Sequence, residues 1–161
     1  MSGGRNSKRR YLAPCEEFSG AEQAGRAALA EPSVSAGLPR IIVCEKSGDW
    51  AAVVRNAAKD GPLDLSETRA YPACLRELDR ERGRVALLEL RQERLREGLE
   101  TLAAIARRFP RVTVFVVAAR ELRPLEWAVR ELGAADFVTS QRDPAPLVAA
   151  LRRAAERKNG V

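Results

Sequence analysis

The sequence predicts an α/β domain: a doubly wound, five-stranded parallel sheet in the order 2-1-3-4-5, with helices on both faces. Three observations predict it. Residues 41–44, 85–90 and 112–118 form short, nearly unbroken apolar runs, as strands buried on both faces of a parallel sheet do. The segments between such runs repeat apolar residues at spacings of three and four, the period of an amphipathic helix. Segment 63–69 alternates only weakly, which suits an edge strand and hence second place in a sheet of that order.

Each element has its own signal. Residues 1–39 carry no strand-like run and are dominated by Gly, Ser, Pro, Ala and charges. They read as a flexible, basic, Ala-rich tail, with a short docking helix over Ser19 to Glu31 as the alternative. The domain proper is expected at 40–158, leaving 159–161 as the C-terminal end. Ile41-Ile42-Val43-Cys44 is the first strand. Ser47, Gly48 and Asp49 offer caps for a first helix with Trp50, Val53, Val54 and Ala57 inward, running to Gly61. After the edge strand, 71–82 is helical, with Leu75 and Leu78 as its apolar positions. Val85 to Leu90 is a central strand. Leu95, Leu99, Leu102, Ile105 and Phe109 define a helix stopped by Pro110. Val112 to Ala118 is the fourth strand. Pro124 suits the first turn of a helix with Leu125, Ala128, Val129 and Leu132 inward, ended by Gly133. Residues 136–139 make the last strand, and Asp143-Pro144 opens the final helix through Leu147, Val148 and Leu151.

Composition bounds the function classes. At 161 residues and 45% hydrophobic, the chain suits one globular domain and excludes global disorder. No apolar run approaches the ~20 residues of a bilayer span. Arg5, Lys8, Arg9 and Arg10 precede no apolar stretch, which argues against a secretory signal, and three cysteines read as reduced thiols suit a cytoplasmic protein. Cys15, Cys44 and Cys74 are far apart, and the chain has no CxxC and no histidine, so a structural zinc site is not expected. No strand end is followed by a Gly-rich phosphate loop, and no cofactor is expected. A net charge of +6 invites a basic, nucleic-acid-associated regulator as the alternative reading. The charges are interleaved along the chain, however, as on solvated helix faces.

Functional groups of a doubly wound sheet gather at the carboxyl ends of its strands. The segments there are Cys44-Glu45, Leu87-Leu88-Glu89-Leu90, Val116-Val117-Ala118-Ala119-Arg120 and Leu132-Gly133-Ala134-Ala135-Asp136-Phe137-Val138-Thr139-Ser140. They resemble the corresponding segments of the receiver (CheY-like) domain of bacterial response regulators, whose fold is flavodoxin-like. The last segment is the most specific, and the intervals from Glu45 to Glu89 and from Ala118 to Ser140 support the register. The loop after Glu89 is a residue longer than usual before Gly98 and lacks the customary proline. The resemblance puts Glu89 in the place of the phosphoacceptor aspartate and Ala118 where a Thr or Ser hydroxyl contacts the phosphoryl group. Ser140 stands for the lysine, and Cys44-Glu45 for the acidic pair that binds magnesium.

Each replacement has a chemical consequence. Glu89 carries its carboxylate one methylene farther out, away from in-line attack on a phosphodonor. Cys44 removes a hard oxygen ligand, leaving Glu45 and Glu89 as at most a weak residual cation site. Ala118 donates no hydrogen bond, and Ser140 neutralises no charge. The resemblance therefore implies a stand-alone pseudo-receiver, not an enzyme, acting as a phosphorylation-independent interaction module in bacterial signal transduction. Glu89 itself is expected to be paired with Arg91 or Arg120, the sharper alternative being a permanent imitation of the phosphorylated state. Cys44 reads as a small buried apolar residue. The family's usual partner or dimer face is the fourth helix, fifth strand and fifth helix, which here makes Arg123, Trp127, Arg130, Phe137 and Arg142 the candidate face. Arg123, Trp127 and Arg130 would follow one side of the fourth helix. Trp127 is either an interface anchor or a boundary residue folded over its helix.

Overall fold

The computed structural model describes residues 40–58, 61, 63–81 and 85–156. The expected tail at 1–39 and the chain end at 159–161 lie outside these residues. Five strands form the sheet: β1 (Arg40–Cys44), β2 (Asp64–Thr68), β3 (Val85–Leu90), β4 (Thr113–Ala118) and β5 (Ala134–Val138). Their order is β2-β1-β3-β4-β5, and every neighbouring pair is parallel. Between them run α1 (Asp49–Ala57), α2 (Tyr71–Glu81), α3 (Leu95–Arg108), α4 (Glu126–Glu131) and finally α5 (Ala145–Glu156). Order and direction are those the sequence predicts.

The strand period of two divides the core into two layers. Ile42, Cys44, Ala86, Leu88, Leu90, Val116 and Ala118 face one side, where Tyr71, Cys74 and Leu78 of α2, Leu102 and Ile105 of α3, and Val129 of α4 cover them. Ile41, Val43, Val85, Leu87, Phe115 and Val117 face the other, under Trp50, Ala51 and Val54 of α1 and Leu147, Val148 and Leu151 of α5. The three inner strands are buried on both sides, each large side chain contributing about 1.5–3 kcal/mol. All five residues of β2 are only half-buried, as an edge strand requires.

Three differences from the sequence reading matter for the site. The fourth helix does not begin at Pro124. A 3-10 turn, Arg120–Leu125, holds Pro124 inside it, and α4 follows with only six residues. Proline has no N–H to donate to an α-helical ladder, and buried Leu122 anchors the tighter turn in the core. Gly133 does end this element, at φ 106°, a backbone conformation costly for residues with a Cβ. Second, β5 starts two residues early because Ala135 is an extra residue: Val114 pairs with Ala134, but Phe115 pairs with Asp136. Third, the longer loop after Glu89 is absorbed by a 3-10 turn, Gln92–Arg94, running directly into α3. Gly98 then lies so close to the tip of β3 that a Cβ there would sit 2.5 Å from Leu90 Cδ2 and 2.9 Å from the Tyr71 hydroxyl. Among the described residues no helix is long and apolar enough to cross a membrane.

Candidate functional site

Parallel register brings the strand tips to one edge: Cys44 lies beside Leu88, Leu90 beside Ala118, and Val117 beside Val138. Cys44, Glu45 and Glu89 gather there around a small cleft of about 10 Å³, lined also by Tyr71, Arg91 and Arg94. That is the room of about one water. Ala118 sits at the end of β4, buried at 4% exposure. Ser140 lies two residues past β5, outside this cavity, and its Oγ accepts the Arg142 N–H at 3.2 Å.

Glu45 has a different task from the one expected. It is 3% exposed, and its carboxylate accepts the N–H of Trp50 at 2.8 Å and of Ala51 at 2.7 Å. These are first-turn amides of α1, which have no intrahelical acceptor, and a carboxylate there also meets the positive end of the helix dipole. Gly48 occupies the N-cap position and offers no side chain, while Ser47 Oγ accepts only the Asp49 N–H at 3.3 Å. The cap of α1 is therefore Glu45, and not the Ser47-Asp49 pair.

Glu89 is held separately. Its Oε2 accepts the Lys46 N–H at 2.9 Å and lies 4.0 Å from Arg91 Nε, the Arg91 partner the sequence suggests. Arg91 also pairs with Glu93 at 3.1 Å. The Tyr71 hydroxyl donates to the Glu89 carbonyl at 2.9 Å, and Arg94 stacks 5.3 Å above the Tyr71 ring. Burial pushes the Tyr71 phenol above its ordinary range, partly opposed by Arg91.

These bonds bear on the weak cation site expected at Glu45 and Glu89. Each oxygen of Glu45 already accepts an α1 amide, and Glu89 lies beside an arginine. A magnesium ion needs several hard oxygen ligands in near-octahedral geometry. The residues present do not fit it. Among the described residues no cluster of three or more His, Cys, Asp or Glu side chains could hold a metal.

Cys44 is a buried residue, 2% exposed, as expected, but its neighbour is a finding of the structure. Cys74 of α2, fully buried, packs in the same core layer, and the neighbouring Cys44 thiol together with burial pushes the Cys74 thiol above its ordinary range. The spacing Tyr71, Cys74, Leu78 on α2 carries the signal for this contact. Leu75, the residue the sequence reading chose instead, is only half-buried.

The candidate partner face is partly reassigned. Trp127 is 74% exposed, and Arg123 and Arg142 are exposed too. Phe137 is not available: at 7% exposure it packs into the core from β5, whose alternation turns it inward. Arg130 is exposed, but its guanidinium is tied to Asp136 at 2.6 Å, to Glu126 at 3.1 Å and to the Ala135 carbonyl at 3.1 Å. Arg123 lies in the 3-10 turn, so it shares no α-helical face with Trp127 and Arg130.

No family model and no curated protein matches the sequence. Solved structures do match the fold. A response regulator from Thermotoga maritima superposes with a TM-score of 0.64 at 19% identity, over 73% of this chain and 98% of that one. The receiver domain of the Francisella response regulator 1452 gives 0.63 at 13%, over 74% and 98%. A CheY-like receiver domain protein from Methanospirillum hungatei gives 0.60 at 14%, over 76% and 97%. The chain has the receiver fold of response regulators.

Proposed function

We propose that this chain is a receiver-type module that works by contact and not by phosphoryl transfer: a non-enzymatic interaction domain of bacterial cytoplasmic signalling. One observation carries the reading. The carboxylate in the acceptor position, Glu89, is fastened to the Lys46 N–H and Arg91 in a cavity of about 10 Å³. In-line transfer needs a free nucleophile with the phosphodonor about 3–3.5 Å away, and a carboxylate already bonded to the Lys46 N–H and flanked by Arg91 is poorly placed to serve as one. Cys44 supplies no hard oxygen ligand for a metal, Ala118 no hydroxyl and Ser140 no positive charge to stabilise a phosphoryl group. With the tips so engaged, the surface remains for function, and Trp127 at 74% exposure supports contacts through α4. The test is incubation with acetyl phosphate and magnesium followed by intact-mass measurement. No mass increase is expected; a stable phospho-adduct on Glu89 would overturn the proposal.

A further inference from the structure

A second concavity lies beyond the ends of β4 and β5, with a volume of about 750 Å³. Its lining is Arg120, Arg123, Thr139, Ser140, Gln141 and Arg142. All three cations on it lack a side-chain partner among the described residues, a state unlike Arg55, Arg91, Arg94 and Arg130, which are tied to carboxylates. Three arginines, two hydroxyl side chains and an amide share this lining, so the wall is rich in donors. Guanidinium forks match the planar geometry of oxyanions, and each bond to a carboxylate would be charge-assisted.

We propose that this groove binds a short acidic segment of a partner protein through its side-chain carboxylates. The inference deepens the contact reading above and rests on it. Two features favour a short acidic peptide over a nucleic acid. No aromatic side chain lines the groove, so unpaired bases would find nothing there to stack on. The charge along these segments is also mixed: exposed Glu121 lies between Arg120 and Arg123 in the sequence, and exposed Asp143 follows Arg142. A duplex, with a charge about every 1.7 Å, calls for an extended and uniformly basic track, whereas a few carboxylates need only the three arginines of this groove.

The probe is a fluorescein-labelled oligoglutamate peptide titrated with the full chain and read by fluorescence anisotropy. Binding is expected at low ionic strength. Arg120→Ala, Arg123→Ala and Arg142→Ala should each weaken it roughly three- to fivefold, the effect of one exposed ion pair. Arg111→Ala removes the same charge before β4, at the opposite edge of the sheet, and should leave affinity within about twofold. No peptide binding, an equal loss with Arg111→Ala, or tighter binding of a single-stranded oligonucleotide at the same three arginines would each overturn the proposal. Any of these outcomes leaves the phosphorylation test standing, so the two readings fail separately.

Discussion

Replacing Glu45 with alanine separates the two tasks open to this residue, helix cap and metal ligand. The substitution leaves the Trp50 and Ala51 N–H groups, now bonded at 2.8 and 2.7 Å, without an acceptor in a buried place. Each orphaned donor costs about 1–3 kcal/mol, and loss of the charge at the helix N-terminus adds about 0.3–1 kcal/mol. Water reaching the adjacent cavity recovers part of this, so a net loss of about 2–4 kcal/mol is expected. Glu45→Gln keeps one acceptor oxygen and should lose about half as much. Urea unfolding followed by tryptophan fluorescence measures both variants, with buried Trp50 reporting on α1 itself. A loss below about 0.5 kcal/mol for Glu45→Ala would refute the capping argument. So would magnesium-dependent stabilisation of the native chain that disappears in the variant, because a ligand bound only to the folded state raises stability by mass action.

Trp127→Ala should cost on the order of 2 kcal/mol in partner or self-association. At 74% exposure the same change should move folding stability by less than about 0.5 kcal/mol, and Glu89→Gln should leave association nearly unchanged. Analytical ultracentrifugation and thermal melts of both variants check this, and a lowered melting temperature as the main effect of Trp127→Ala would make Trp127 part of the core. The phenol of Tyr71 gives a pH dependence with a definite sign. Burial raises its pKa in the folded state, so its contribution is complete below the ordinary tyrosine range and is lost as pH rises through the raised folded value. Tyr71→Phe removes the hydrogen bond to the Glu89 carbonyl, at about 1 kcal/mol near neutrality. The advantage of the native chain over this variant should shrink above about pH 10, and parallel stability curves would contradict the assignment.

The sequence by itself determined the sheet. Continuous apolar runs at β1, β3 and β4 can be buried only between two helical layers, and the weak alternation of β2 belongs only at an edge, so class and strand order follow from hydrophobic pattern. It also determined which residue types stand at the strand tips, because those positions follow from where each run ends. What each tip residue does was decided by the tertiary structure. Glu45 and Glu89 look equivalent as carboxylates at strand ends, yet α1 starts where its free amides meet Glu45, while Lys46 and Arg91 hold Glu89. The Cys44–Cys74 contact joins positions 30 residues apart through the packing of α2 on the sheet, which no local spacing on β1 records. Phe137 turned inward and Pro124 fell inside a 3-10 turn for a related reason. Residues at the ends of elements obey local propensity only weakly, and the buried neighbours they meet decide their conformation.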